Sequence, residues 1–281
     1  MDIIEHILSI GISGITARYF VPRIYKILSA NSKYVSNYNG RPVVTGMGLA
    51  LMFPCLFGTV PFLLHGVKLD YLAFLTVVVT LVVFGVIDDL LGDGKAKGIR
   101  GHVKIILKGG LSTGGIKLIT AVFLGMLLSY YYYSFTMQWL IYTLVFLLFI
   151  NFINLMDLRP GRAIKVFLFS VVMLALTGRL NNIWIFLSII TATLFYIKGE
   201  MREQYMLGDT GANLLGGILG FYAIRTVPPA SAFIIASILL LIQIAAEYYS
   251  ISKIIRAIPF LRYIDELWRM EKDADTGMDR A

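Results

Sequence analysis

The sequence is short of what a water-soluble protein depends on. Of its 281 residues 15% are charged and 58% are hydrophobic, against about 25% charged in an ordinary soluble domain. This excludes a soluble globule and leaves no room for a second, water-soluble domain. The single cysteine, Cys55, sits inside an apolar segment, so no intrachain disulfide can form. The three histidines, His6, His65 and His102, are scattered, and none follows residue 102. Together with the lone cysteine they argue against the clustered nitrogen and sulfur ligands of a zinc centre. The first apolar segment is not followed by a small-residue cleavage pattern, so no cleavable leader is expected. Internal repeats and low-complexity linkers are absent too.

What the chain has is apolar length. Nine segments read as membrane spans: residues 3–20, 46–66, 71–91, 116–132, 140–156, 166–177, 183–197, 212–222 and 230–247. A hydrocarbon core of roughly 30 Å needs about 20 residues of helix. The sixth and eighth segments are short and must borrow residues from their neighbouring loops. The expected fold is an all-α, polytopic transmembrane helix bundle of about 9–10 spans, with functional loops at the cytoplasmic face. Charge gives the orientation. With the N-terminus outside, 22 of the 25 lysines and arginines fall on inner segments, leaving Lys68, Arg179 and Arg225 outside. The positive-inside rule therefore predicts a multi-pass protein of the cell membrane with a cytoplasmic C-terminus. It also explains the net charge of +8 without a nucleic-acid partner. The run Tyr130 to Tyr133 reads as an interfacial aromatic belt.

The chain divides into a transmembrane unit, 1–250, and a cytoplasmic tail, 251–281. In the tail, Ile251, Ile254, Ile255, Ile258, Leu261, Ile264 and Leu267 recur at helical spacing, with Lys253, Arg256, Arg262 and Arg269 between them. Pro259 divides this into two amphipathic helices suited to a membrane surface. From residue 273 the chain is polar, and disorder is expected.

Carboxylates recur at the predicted inner face. Asp88 and Asp89 close the third span, and Lys95, Lys97, Arg100, Lys104 and Lys108 follow in the loop. Asn151, Asn154 and Asp157 close the fifth span. Gly208-Asp209-Thr210-Gly211 opens the eighth. Acidic groups at a membrane margin require water or cations, and hard oxygen ligands suit Mg²⁺, or Mn²⁺, over zinc. Gly208 and Gly211 flank Asp209 at a helix start, where free N–H groups and the helix dipole can face an anion. Asp209-Thr210 could equally be a plain N-cap pair. Asn151 and Asn154 share one helix face and could equally hydrogen-bond between helices. Metal-binding aspartates alternating with Lys104, Arg159 and Arg162 suit a diphosphate whose other half is lipid.

The order Asp-Asp, then Asn-x-x-Asn-Leu-x-Asp, then Gly-Asp-x-Gly resembles the polyprenyl-phosphate N-acetylhexosamine-1-phosphate transferase superfamily. The peptidoglycan enzyme phospho-N-acetylmuramoyl-pentapeptide transferase belongs to it. The resemblance runs from about Arg41, where Arg41-Pro42 to Gly46-Met47-Gly48 looks like a loosened form of a family loop, to Tyr222. It implies Mg²⁺-dependent transfer of a sugar-1-phosphate from a UDP-sugar to polyprenyl phosphate, with release of UMP. Such a reaction would serve envelope polysaccharide or peptidoglycan-type synthesis; a homodimer is a possible assembly. By the same resemblance Asp88 and Asp89 match the essential aspartate pair, Asp209 the Mg²⁺-binding position and Lys104 a phosphate-contacting lysine. Asn154 and Asp157 match nucleotide-sugar and active-site positions.

The chain departs from the family pattern twice. Asp157-Leu158-Arg159-Pro160-Gly161 stands where Asp-Gly-x-Asp-Gly is usual, and the histidine motif of the last cytoplasmic loop is missing. These departures carry two expectations. One is a donor or lipid more acidic than UDP-N-acetylglucosamine, held by Arg159 and Arg162, although both arginines could equally anchor the inner headgroup layer. The alternative is a non-catalytic protein that binds polyprenyl phosphate and assists envelope assembly.

Overall fold

The computed structural model describes residues 3–31, 34–36, 40, 42–64, 66, 68–91, 113–177 and 182–267. Nine of the helices in these stretches correspond to the nine apolar segments. They are α1 (Ile3–Asn31), α2 (Leu49–Leu64), α3 (Leu69–Leu91), α4 (Thr113–Tyr133), α5 (Met137–Met156), α6 (Arg162–Thr177), α7 (Trp184–Met201), α8 (Gly208–Thr226) and α9 (Pro229–Tyr248). Two short helices follow in the tail, α10 (Ile251–Ala257) and α11 (Pro259–Glu266). The fold is an all-α bundle, as expected. Five helices, α3, α4, α5, α7 and α9, are long and apolar enough to cross a membrane.

Helix boundaries differ from the apolar segments where polar residues continue a helix. Helix α1 runs on past Arg18, Arg23 and Lys26 to Asn31. Charge marks where a span leaves hydrocarbon, not where its hydrogen-bond ladder ends. The sixth and eighth segments do gain residues from their loops: α6 begins at Arg162 and α8 at Gly208.

Helix α8 is the axis of the bundle. It is buried at every residue except Gly208, Asp209 and Arg225. Helices α3, α4, α5 and α6 pack around it. The approach to α5 is close: a Cβ at Gly216 would lie 2.5 Å from the Ile150 Cα. Small residues of this kind let helices meet backbone to backbone, where lipid offers no hydrophobic drive for association. Helices α1, α2 and α7 form a second group, joined to α3 through α2. The stripe Ser9, Ser13, Ala17, Val21 and Ile24 of α1 is buried at four- and three-residue spacing, as one helix face must be. By contrast α9 exposes Phe233, Ile234, Ile238, Leu241 and Ile244. Apolar side chains on the outside of a helix bundle belong against lipid.

A small hairpin pairs β1 (Tyr34–Ser36) with β2 (Pro42–Val44), Val35 opposite Val43. The chain that leaves β2 then lies along the segment before α8. Met206 N–H donates to Val44 O at 2.8 Å, and Gly48 N–H donates to Leu207 O at 3.0 Å. These bonds tie the entrance of α2 to the entrance of α8.

Helices α3 and α8 run antiparallel, because Asp70 of α3 meets Arg225 of α8 while Asp88 and Asp89 meet the start of α8. At the Asp70 end, Arg225 Nη2 lies 2.8 Å from Asp70 Oδ2 and donates to Asn182 Oδ1 at 3.2 Å. Tyr132 donates to Asp70 Oδ1 at 2.6 Å and Tyr133 to Ile224 O at 2.7 Å. Of the tyrosine run, therefore, Tyr130 and Tyr131 are exposed, whereas Tyr132 and Tyr133 turn inward as hydrogen-bond donors.

The tail helices lie against the start of α6. Arg162 grips Asp265 with two nitrogens, at 2.6 and 3.1 Å, and donates to Ser252 Oγ at 3.0 Å. Lys165 donates to the carbonyls of Ile264, Asp265 and Leu267 at 2.6–3.0 Å. A cation there satisfies the last carbonyls of α11 and its dipole. The far face of α11 exposes Phe260, Tyr263 and Ile264, in keeping with an amphipathic element. The polar end of the tail lies outside the described residues.

Candidate active site

Asp88 and Asp89 occupy the last turn of α3, and Asp209 the first turn of α8. Two glycine constraints bring them together. Gly208 has φ +68°, and a Cβ there would fall 2.7 Å from Gly46 N and 2.8 Å from Asp89 Oδ2. A Cβ at Gly48 would sit 2.0 Å from Gly211 N. Backbone thus meets backbone beneath Asp209, and no side chain fits between. This is the structural use of Gly208 and Gly211.

Asp89 and Asp88 do different work. Asp89 caps α8 from outside that helix. Its Oδ1 accepts from Asp209 N–H at 3.0 Å and its Oδ2 from Thr210 N–H at 2.9 Å, and the Thr210 hydroxyl also donates to Oδ2. A carboxylate at a helix N-terminus satisfies orphan donors and opposes the dipole. The reading of Asp209-Thr210 as a self-contained cap is thereby corrected: the residue before the helix, Leu207, makes no side-chain cap bond, and α3 supplies the carboxylate. Asp88 faces α4 instead. Thr113 Oγ1 donates to its Oδ1 at 2.6 Å, and Lys117 Nζ lies 2.8 Å from its Oδ2. The same ammonium lies 3.1 Å from Asp209 Oδ2. The Asp209 side chain remains 38% exposed, so this end of the cluster opens outward.

The second motif meets α8 from the other side. Asn154 donates to Asn213 Oδ1 at 2.6 Å. Asn213 is fully buried, and its Nδ2 has no hydrogen-bond partner among the described residues. It stands four residues after Asp209, hence on the same face of α8. Asp157, just past the end of α5, has an Oδ1 shielded from solvent and without a hydrogen bond among the described residues. Burial pushes its carboxyl well above the usual carboxylate range, and the charges of Glu200, Asp209 and Asp89 push the same way, while Gly208 N–H draws it back. Glu200 is fully buried and accepts from Gly161 N–H at 2.7 Å. Beside Asp89 a cavity of about 160 Å³ is lined by Leu28, Leu49, Val86 and Leu90, with Thr45 and Thr210 at its polar side.

The structure therefore brings together Asp88, Asp89, Asn154, Asp157, Gly208, Asp209 and Gly211 at one end of the bundle. Asn151 lies half-buried one turn earlier on α5. Lys104 and its basic neighbours Lys95, Lys97, Arg100 and Lys108 lie outside the described residues, as does Arg41. Arg162 points elsewhere: it is 2% exposed and bound to Asp265, and Arg159 lies 3.6 Å from the same carboxylate. The added positive charge expected beside Asp157 is thus offset by an acidic residue of the tail.

Four participants were not singled out from the sequence. Thr113 and Lys117 stand four apart at the start of α4, a spacing that puts both on one face; that spacing was the available signal. Asn213 and Glu200 had none beyond being polar in apolar surroundings.

Whether these residues could hold a metal can be judged from the donors. No group of three or more His, Cys, Asp or Glu side chains forms a ready-made site among the described residues. Yet Asp88 and Asp209 both reach one cation, Lys117 Nζ. Mg²⁺ is commonly bound through one or two carboxylates and completed by substrate phosphates. The pair fits that kind of site.

Fold and site together define a multi-pass, all-α membrane protein with a carboxylate-rich centre at one end of its helices. Compared with protein-family models and with curated proteins, the chain matches none.

Proposed function

We propose that this chain transfers a sugar-1-phosphate from a UDP-sugar to polyprenyl phosphate at the cytoplasmic face of the cell membrane. The observation that carries the reading is the convergence of Asp88 and Asp89, Asn154 and Asp157, and Asp209 from three chain-distant helix ends. Phosphoryl transfer is dominated by positioning and charge neutralisation; these residues would supply the first directly and the second through a cation held by the carboxylates. In this reading the prenyl phosphate oxygen attacks the sugar-linked phosphorus. One P–O bond forms there as the bond to UMP breaks. Asp209 and Asp88 would hold Mg²⁺, or Mn²⁺, whose chemistry is to neutralise charge on the diphosphate oxygens. Asp89 positions Asp209 by holding its N–H, while Asn213 and Asp157 offer a buried donor and acceptor to the substrate. The apolar cavity beside Asp89 suits the first part of a prenyl chain.

The test is direct. Purified protein is incubated with undecaprenyl phosphate, Mg²⁺ and a panel of nucleotide sugars, neutral and acidic, and lipid product is sought by mass spectrometry. Lipid diphosphate product with any donor supports the reading. Its absence with every donor, in protein that still binds undecaprenyl phosphate, favours the non-catalytic alternative. One observation speaks for that alternative. The segment from Asp157 to Arg162, where the resemblance places donor recognition, is closed by buried Pro160 and by the Arg162–Asp265 grip.

A further inference from the structure

The carboxylate cluster contains its own cation. Lys117 Nζ lies 2.8 Å from Asp88 Oδ2 and 3.1 Å from Asp209 Oδ2, so one ammonium bridges the two helices. A hard cation bound to those same oxygens would meet that ammonium at contact distance, where like charges repel strongly. The two cannot share the place.

Lys117 is suited to leave it. The residue stands one turn into α4, and its side chain is 19% exposed. A four-carbon stem carries the charge through several rotamers, unlike a planar guanidinium. The site also asks for more than a lysine. Asn213 Nδ2, fully buried one turn above Asp209, and Asp157 Oδ1 both lack hydrogen-bond partners among the described residues. A buried donor and a buried acceptor left open beside a bridged carboxylate pair point to an absent polar ligand.

We propose that Lys117 is a tethered competitor for the divalent cation. It neutralises Asp88 and Asp209 when no ion is bound and yields its place when one arrives. This rests on the reading of the cluster as a phosphoryl-transfer site, but its test does not use transfer.

The full chain is placed in nanodiscs of zwitterionic phosphatidylcholine, and Mn²⁺ binding is measured by the loss of the free-ion electron paramagnetic resonance signal. Lys117→Gln should bind Mn²⁺ about tenfold or more tightly than the wild type, because a competing charge at contact is gone. Asp209→Asn should abolish the tight site in both backgrounds. Folded Lys117→Gln protein that binds no more tightly overturns the proposal. A second measurement needs no variant. A water-soluble amine reagent is applied to wild type across a Mg²⁺ titration, and modification of Lys117 is read by mass spectrometry. Modification should rise as the ion binds; a yield that stays flat or falls while Mg²⁺ binds overturns the idea. Neither measurement involves a nucleotide sugar or a polyprenyl lipid, so failed transfer would bear on the transferase reading alone.

Discussion

The α3–α8 pair carries charge at both ends, and the two ends are built on opposite plans. At one, Asp70 and Arg225 are matched, with Tyr132 and Asn182 satisfying further hydrogen bonds. At the other, Asp88, Asp89, Asp157 and Asp209 crowd together, and Lys117 pairs with two of them. A matched end closes a bundle. A mismatched end gathers more carboxyl groups than cations, and burial and mutual proximity favour the neutral form of Asp157. The same two helices thus fasten the molecule at one end and gather carboxylates at the other.

The contrast can be broken most severely at the contact beneath the mismatched end. Gly48→Ala forces a methyl into the backbone of Gly211. Overpacking in a core costs about 1–3 kcal/mol; with backbone on both sides, about 3 kcal/mol or more is expected. Thermal unfolding in detergent should show it, with loss of any lipid product. An unchanged melting temperature would mean that the two entrances are not in contact.

A loss of function without a loss of fold should come next. Asp209→Asn keeps the shape and removes the charge that a hard cation needs. Transfer should fall by about 100-fold or more, as when a preorganised electrostatic contact is deleted, while the melting temperature holds or rises. Full activity at limiting Mg²⁺ would remove Asp209 from the cation site.

The matched end should behave in reverse. Asp70→Asn or Arg225→Gln should lower stability by about 1–2 kcal/mol, between the values for exposed and buried pairs, with activity retained. The double variant should lose less than the sum of the two. Strict additivity would show the pair to be independent.

The smallest effects should come from probes of sidedness. Single cysteines at Arg202 and Gln138, both exposed, are placed in a Cys55→Ala background. Each exposed substitution should change stability by under about 0.5 kcal/mol. In intact cells an impermeant thiol reagent should label position 138 and not 202. Labelling at 202 alone would invert the orientation.

Legibility from the sequence followed locality. Long apolar runs such as 71–91 and 140–156 announce α3 and α5, because a helix in hydrocarbon must satisfy its own backbone. The aspartate motifs were legible as three clusters near helix ends. Their joining was not, since nothing local in Asp89 says that it will cap a helix starting at Gly208. Lys117 was hidden for the same reason: in the chain it is one basic residue among many near a span end, and only the fold sets it between Asp88 and Asp209. Arg162 misled in the opposite sense. It stands beside Asp157 in sequence, yet its partner, Asp265, comes from the tail.

The burial of α8 also governs how the protein is made. This helix, glycine-rich and polar at its start, falls outside the set that is apolar enough to cross a membrane unaided, although it is enclosed on nearly every side. Insertion machinery selects segments by their apolarity, so α8 depends on helices already delivered. Helices α3, α4, α5 and α6 all precede it in the chain, and a ribosome therefore lays down the groove before the helix that fills it. Until that moment Asp89 has no N–H groups to hold and Asn154 has no Asn213. In a nascent chain halted before residue 208 these polar groups lack the partners that α8 supplies.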